Sequence, residues 1–182
     1  TPARRATYAQ FDADVSRFAA GVLDLGLDVA PRQSVSLRFS DTYLQYVSLV
    51  ALARIGVASA PGFDSRAEFR LTDLPEAADP GPPSQGRTVR LSRDGLAQIM
   101  AAPARDLPRP SIDPDGLGRV MLSSGTTRVP RRVGLSWRRL DAAIHGAVAA
   151  YAYGRLGVWI PVLGIDAMMG LTQAITAWSV GA

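Results

Sequence analysis

The sequence has no cysteine and no lysine, and it has a single histidine, His145. Without cysteine there is no disulfide, no thiolate nucleophile and no cysteine-ligated metal site. One histidine excludes any site that needs two. Every basic residue is arginine, and the formal net charge is a modest +4. The first residues also lack the apolar core of a secretory signal peptide, so we expect an intracellular, cytoplasmic protein.

A long uninterrupted apolar run is also missing. Residues 158–182 carry one charge, Asp166, and are numerous enough to span a bilayer, but Pro161 and several glycines interrupt them. A buried strand followed by a core helix explains this stretch better than a membrane span. The 182 residues, 47% hydrophobic and 20% charged, are typical of one globular domain.

The first sixty residues predict a helix followed by a strand, a helix and a strand. Thr7-Tyr8-Ala9-Gln10 is a capping box, and an apolar stripe follows it to Gly26. Residues 34–39 alternate as a strand with one buried face should. Ser40 or Asp41 can cap the next helix, which ends near Gly56, and a short strand at 57–60 follows. Such a crossover implies parallel strands. The stripe consists of Phe11, Val15, Phe18, Val22 and Leu25.

The segment at about 61–118 is rich in proline and predicts irregular structure. Nine of the thirteen prolines lie there. Within it we expect only a strand at 88–91 and a short helix at 96–101. We interpret the segment as a surface excursion of the same domain rather than as a flexible bridge.

Regular structure resumes after Pro114. The pattern predicts strands at 119–122, 132–135 and 156–160, a helix from Ser136 to Tyr151, and a helix at 165–180. Alternating strands and helices indicate an α/β fold with a mostly parallel β-sheet flanked by helices. We expect residues 1–182 to form a single domain.

The most distinctive stretch follows the apolar run Val120-Met121-Leu122. It reads Ser-Ser-Gly-Thr-Thr-Arg-Val-Pro-Arg-Arg-Val over residues 123–133. Small hydroxyl side chains and backbone N–H groups in a turn after a strand can converge on phosphate oxygens, with arginines balancing the charge. The stretch lacks the Gly-Lys-Ser/Thr ending of a Walker loop, so it predicts a different kind of phosphate site.

This stretch resembles the nucleotide phosphate-binding loop of the adenylate-forming enzymes. That superfamily includes acyl-CoA synthetases, the adenylation domains of peptide synthetases and beetle luciferases, and its usual pattern is Thr-Ser-Gly-Thr-Thr-Gly-X-Pro-Lys-Gly. Here Arg128 stands at the last glycine of the turn, Arg131 at the lysine and Arg132 at the glycine after it. The order of the flanking elements, from Thr7-Tyr8 to Gly181-Ala182, is similar to the amino-terminal third of such an enzyme.

The resemblance implies an AMP-forming ligase, in which a carboxylic acid attacks ATP to give an acyl-adenylate and a thiol then takes the acyl group. ATP with Mg²⁺, a carboxylic acid such as a fatty acid, and coenzyme A or a carrier protein are the implied cofactors and partners. The implied ligands of the phosphates are Ser123, Ser124, Gly125, Thr126, Thr127 and Arg131. Since the family's other motifs and its catalytic lysine lie further along, we expect the segment 1–182 alone to be inactive.

The family usually places an aromatic–histidine pair on the wall of the acyl site, two residues after the proline that matches Pro161. In this sequence those positions are Leu163 and Gly164, which are our acyl-pocket candidates. They imply a smaller and more apolar surface. Trp159, Met168, Met169 and Trp178 are most simply core residues, although with Leu163 they could line the same pocket.

Other interpretations stay open at this point. Arg131 is equally consistent with a cation on the ATP phosphates and with an exposed basic rim. A non-catalytic phosphate-binding or interaction module of the same fold is the alternative to a ligase. The five arginines within residues 128–139 could also attract nucleic acid, but too few aromatic residues accompany them, so we expect no nucleic-acid partner. His145, Asp113 and Asp115 are predicted to be structural.

Overall fold

The computed structural model describes residues 5–27, 29, 32–78, 83, 85–123, 130–151 and 163–181. Within them the chain forms five helices, six strands and one 3₁₀ turn at Glu76–Ala78. The helices are α1 (Tyr8–Asp24), α2 (Thr42–Arg54), α3 (Arg93–Ala101), α4 (Trp137–Tyr151) and α5 (Met168–Val180). The strands are β1 (Ser34–Arg38), β2 (Ala58–Ala60), β3 (Phe69–Thr72), β4 (Arg87–Arg90), β5 (Leu117–Ser123) and β6 (Arg131–Ser136).

The six strands form one sheet in the order β4-β3-β1-β2-β5-β6. The first five run parallel to their neighbours, and β6 pairs antiparallel with β5. A mostly parallel sheet with helices packed on it confirms the predicted α/β fold. Because parallel strands end at the same edge, the carboxyl ends of β1, β2, β3 and β5 share one edge of the molecule.

The helices begin where side chains can satisfy their first N–H groups. Thr7 and Gln10 form the predicted capping box of α1, and Gly26 after the helix has a positive φ of 62°. For α2 the cap is Asp41 rather than Ser40, since its carboxylate accepts from the N–H groups of residues 43 and 44. The apolar face of α1 then packs on the sheet in the main core.

Strand β1 differs from the prediction, because both of its faces are buried. Val35 and Leu37 lie in the main core with Val15 and Phe18 of α1. The serines on the other face are buried as well. The chain between β2 and β3 covers that side, and Glu68 accepts hydrogen bonds from the backbone N–H and the hydroxyl of Ser34 at 2.8 and 3.2 Å. Ser34 is buried with its polar groups bonded, whereas the Ser36 hydroxyl is buried without a hydrogen-bond partner, so alternation in polarity did not predict exposure here.

The segment at 61–118 is less irregular than its prolines indicate, and this corrects the sequence prediction. Besides β4 and α3, which were expected, it contributes β3 next to β1 within the sheet. Strand β3 has only four residues, and Arg70 at its second position is buried. Arginine is rare in buried strands, so the pattern was too short and too polar to indicate one.

The carboxyl-terminal elements largely follow the prediction. Strands β5 and β6 and helix α4 lie where expected, and Ser136 Oγ accepts from the N–H of Arg139 at 3.3 Å. Helix α5 starts at Met168, three residues later than predicted, and Trp178 on it packs against the ring of Phe11 at 5.1 Å. The predicted strand at 156–160 lies outside the described residues. In the part of the chain that is described, no helix combines the length and the apolarity that a membrane crossing needs.

Candidate functional site at the carboxyl edge of the sheet

The hydroxyl-rich run starts at the carboxyl end of β5 and connects it to β6. Ser123, the last residue of β5, is paired with Arg131, the first residue of β6. Residues 124–129, and with them Ser124, Gly125, Thr126, Thr127 and Arg128, lie outside the described residues. Of the predicted phosphate ligands, Ser123 and the exposed Arg131 are the ones that the structure describes. They lie at the two ends of the connection between β5 and β6. Both lie at the sheet edge where ligands of open parallel sheets usually bind.

Arg132, next to Arg131, has a different environment. Its Nε lies 3.0 Å from Oδ2 of Asp64, whose side chain is only 1% exposed, and its Nη2 donates to the hydroxyl of Ser34 at 3.0 Å. The guanidinium of Arg132 is therefore held in an ion pair with the buried carboxylate of Asp64. The expectation of an exposed basic rim therefore applies to Arg131 but not to Arg132.

Arg66 is a further cation near the end of the hydroxyl-rich run. Arg66, in the chain between β2 and β3, donates from Nη2 to the carbonyl oxygen of Pro130 at 3.2 Å. Asp64 orients this stretch by accepting the N–H of Arg66 at 3.2 Å. The chain after β2 thus supports the end of the hydroxyl-rich run through both Pro130 and Arg132.

The start of β5 carries the most deeply buried cation among the described residues. Arg119 is 1% exposed, and its guanidinium donates to Ser59 Oγ at 2.9 Å, to the Ile165 carbonyl oxygen at 2.6 Å and to Met121 Sδ at 3.2 Å. Burial lowers its pKa to about 10, an effect that the nearby Asp166 opposes. The group therefore remains a cation at neutral pH.

The predicted acyl-pocket candidates lie just before α5. Leu163 is 40% exposed and Gly164 is exposed. The N–H of Ala167 donates to the Gly164 carbonyl at 3.1 Å, which closes a turn. A side chain at Gly170 would lie 2.3 Å from that same carbonyl, so glycine is needed there for the turn to pack on the first turn of α5. The segment 163–167 is thus a compact turn held against the helix.

Asp166 ties this turn to the end of β2. Its Oδ1 accepts the N–H of Gly62 at 3.1 Å, and with Arg38 and Gln45 it borders a small polar cavity of about 300 Å³. Burial raises the pKa of Asp166, although the Gly62 N–H and the positive charges of Arg119 and Arg38 act in the opposite direction. The turn that carries Leu163 thus also carries a partly buried carboxylate, Asp166.

A larger cavity of about 610 Å³ lies between α1, α2, α4 and α5. Its lining is mainly apolar and includes Trp178, Leu140 and Ile144, with Arg119 and Ser59 where the cavity meets the sheet. Its lining includes neither Leu163 nor Gly164. The two acyl-pocket candidates thus lie outside the lining of this cavity, and among the described residues named as possible pocket residues it is Trp178 that borders it.

The remaining candidates have structural contacts. His145 is exposed on α4, and its Nδ1 lies 2.9 Å from the Asp141 carbonyl oxygen. Asp113 accepts the N–H of Asp115 at 3.0 Å, as in a turn-forming aspartate. Asp115 in turn forms a two-point pair with Arg138 at 2.9 and 3.0 Å. Met169 is exposed, while Trp159 lies outside the described residues.

Sequence reasoning missed Asp64, Arg66 and Arg119. Asp64 and Arg66 lie in a turn that follows Pro61, and their contacts depend on a segment 64 to 68 residues further along the chain. The only signal for Arg119 was a charge within an otherwise apolar strand. Across the described ranges, no cluster of acidic or histidine side chains is arranged to hold a metal ion.

Comparison with known proteins gives results at the level of structure but not of sequence. No protein-family model matches the chain, and no curated protein sequence does. The fold is similar to ATP-bound MatB from Rhodopseudomonas palustris, with a TM-score of 0.80, 18% identity, and 98% of this chain covering 39% of that one.

Two further solved structures agree. The inhibitor-bound N-terminal domain of FACL13 from Mycobacterium tuberculosis has a TM-score of 0.73 and 23% identity, with 98% of this chain covering 49% of that one. O-succinylbenzoate coenzyme A synthetase (MenE) from Bacillus subtilis, in complex with AMP, has a TM-score of 0.68 and 16% identity, with 99% covering 49%. The chain thus spans less than half the length of these proteins. Its fold is that of the amino-terminal region of the adenylate-forming enzymes.

Proposed function

We propose that this chain is the amino-terminal portion of an ATP-dependent acid–thiol ligase of the acyl-CoA synthetase type, which activates a carboxylic acid as an acyl-adenylate. The observation that carries the proposal is the position of the hydroxyl-rich run. It connects β5 to β6 at the carboxyl edge of a mostly parallel sheet, with Ser123 paired to the exposed Arg131 at its base. Open parallel sheets bind their ligands at that edge.

In the proposed reaction the carboxylate oxygen attacks the α-phosphate of ATP, and pyrophosphate leaves. Ser123, Ser124, Gly125, Thr126 and Thr127 would donate hydrogen bonds to the β- and γ-phosphates, where negative charge accumulates as the bond to the α-phosphate breaks. Arg131 would add a forked cation beside them. Mg²⁺ carried by ATP would neutralise part of the phosphate charge. Coenzyme A or a carrier-protein thiol would accept the acyl group in a second step.

The proposal is tested by ATP–pyrophosphate exchange with the full-length protein and a panel of carboxylic acids. We expect exchange that depends on the acid and on Mg²⁺. Thr126→Val removes one hydroxyl and should lower the exchange rate roughly tenfold or more, because each donor to the developing charge contributes strongly. Thr88→Val, at an exposed position on the far edge strand β4, is the matched control and should leave the rate unchanged. Absence of exchange with every acid would reject the ligase.

A non-catalytic phosphate-binding module is the second candidate, and the environment of Arg132 favours it. Where the family has a glycine, this chain has an arginine that pairs with the buried Asp64. The end of the hydroxyl-rich run is therefore held by an ion pair, at a position where the family has a glycine. Calorimetry with ATP and Mg²⁺ separates the two candidates. Binding without pyrophosphate exchange supports the module, and binding with exchange supports the ligase.

A further inference from the structure

Arg119 joins three separate parts of the fold. Its Nη1 reaches the hydroxyl of Ser59 on β2, its Nε reaches the sulfur of Met121 on its own strand, and its Nη2 reaches the main-chain oxygen of Ile165 in the turn before α5. The contact to Ile165 is the shortest of the three, at 2.6 Å. It crosses 46 positions of sequence, so it links β5 directly to the turn at 163–167.

That turn is held at a second point by Asp166, the next residue. Its carboxylate accepts the N–H of Gly62, at the end of β2. The two tethers fix the turn to Arg119 on β5 and to Gly62 after β2. Gly170 adds a close backbone contact from the first turn of α5. Leu163 and Gly164 immediately precede the tethered residues, so their positions depend on both links.

Although Arg119 borders the cavity of about 610 Å³, its guanidinium is poorly placed to contact a substrate. It is 1% exposed, and each of its three nitrogen atoms already donates to a protein acceptor. A cation in this position contributes by fixing other groups, since breaking its hydrogen bonds would leave a buried charge unsatisfied. This geometry distinguishes Arg119 from the exposed Arg131, which is 12 residues further along the chain.

We propose that Arg119 is a positioning residue that fixes the turn 163–167 to β5, next to its second tether at the end of β2, and thereby sets how the carboxylic acid binds. The part that concerns the acid rests on the proposed function. The part that concerns the turn rests on the hydrogen bonds alone. In this role Arg119 holds Ile165, and through it Leu163 and Gly164, in a constant position relative to β5.

The positioning role is tested first without any activity, by amide hydrogen exchange on the full-length protein. Arg119→Leu keeps a buried apolar side chain but removes every donor. We expect the Gly62 and Ala167 amides to exchange about tenfold faster relative to the amides of β1, the factor that one lost hydrogen bond typically gives. Leu71→Ala in β3 is the control, because it weakens the same core from a strand that carries neither tether of the turn. Equal acceleration of the turn and of β1 in Arg119→Leu would overturn the proposal.

Arg119→Lys sharpens the test, because an ammonium keeps the charge but lacks the planar fork. It should restore part of the protection at Gly62 and Ala167. If Arg119→Lys gives no more protection than Arg119→Leu, the hydrogen-bonding role is refuted and only volume matters. Leucine and lysine have similar volumes, so a difference in cavity size does not separate the two variants.

The role in acid binding is tested by steady-state kinetics. We expect Arg119→Leu to raise the KM for the carboxylic acid about tenfold while the KM for ATP changes little. The reason is that a displaced turn at 163–167 would alter the binding of the acid and not that of ATP. Equal increases in both KM values would overturn this part. If the wild-type protein shows no acid-dependent exchange of pyrophosphate, the proposed function fails, and hydrogen exchange still decides whether Arg119 positions the turn.

Discussion

The two ends of strand β5 place an arginine in opposite environments. Near the start, Arg119 is buried, and its three nitrogen atoms donate hydrogen bonds to Ser59, Met121 and Ile165. At the end, Ser123 is paired with Arg131, whose side chain is exposed beside the hydroxyl-rich run. A buried cation must have its donors satisfied by the protein, whereas an exposed cation can exchange water for a ligand. The comparison shows that the same residue type is bound by the protein near the start of β5 and is open to solvent beside its end, on the neighbouring strand β6.

The largest expected effect comes from removing the buried cation. Arg119→Leu should lower the free energy of unfolding by about 3 kcal/mol, because the Ile165 carbonyl and the Ser59 hydroxyl lose their donor and each unsatisfied buried group costs about 1–3 kcal/mol. Denaturant titration measures the change. A loss below about 1 kcal/mol would mean that the Ile165 carbonyl and the Ser59 hydroxyl find other donors. Arg119 would then contribute no more to stability than the exposed Arg131 does.

Removing the exposed cation should affect binding and not stability. Arg131→Gln should weaken ATP affinity about tenfold, since a hydrogen bond to a charged phosphate contributes about 1.5–3 kcal/mol, while the unfolding free energy stays unchanged. Calorimetry with Mg²⁺–ATP and denaturant titration give the two values. Arg139→Gln, an exposed arginine on α4, is the matched control. Equal loss of affinity in both variants would indicate that general charge, rather than position, attracts the nucleotide.

Asp166 allows the comparison to be extended to pH. Burial raises the pKa of its carboxyl above the ordinary 3.8, so the folded state binds a proton more tightly than the unfolded state does. Stability contributed by this group is therefore greatest at low pH and falls as the pH rises from 3.8 through the folded-state value. Asp166→Asn should remove this part of the pH dependence while still accepting from Gly62. Unfolding free energies at acidic and neutral pH measure it, and identical pH profiles for the two proteins would contradict the expectation.

The smallest expected effect is at a surface pair. Arg138 and Asp115 form a two-point ion pair, and the hydrogen bond to Asp115 raises the pKa of Arg138, but both side chains are exposed. Arg138→Ala should leave stability unchanged within experimental error, because solvent screens exposed pairs. A thermal melt at low and high salt tests this. A clear drop in melting temperature would show that bidentate geometry, and not burial, governs the contribution of an arginine in this fold.

Sequence reasoning predicted those elements whose signals are local. The capping box at Thr7 and the stripe on α1 depend on residues within one helix, and both are present in the structure. Strands β5 and β6 and helix α4 were also found, since apolar runs and a capping serine bounded them. The α/β fold with a mostly parallel sheet followed from the order of these elements.

What the sequence missed depends on residues that are distant along the chain. Strand β3 becomes a strand by pairing with β1 and β4, and its own four residues carry little signal. The pairing of Asp64 with Arg132 and the tether of Arg119 to Ile165 join positions 68 and 46 residues apart. Residue type alone predicts that such charges face solvent.

The amino-acid sequence by itself determined the order of helices and strands and the hydroxyl-rich run at the end of β5, because capping, periodicity and turn chemistry act over a few residues. Only the tertiary structure decided which arginine is buried and which is exposed. That choice depends on whether distant oxygen atoms are brought within hydrogen-bonding distance of the guanidinium, and the packing of strands and turns together brings them there.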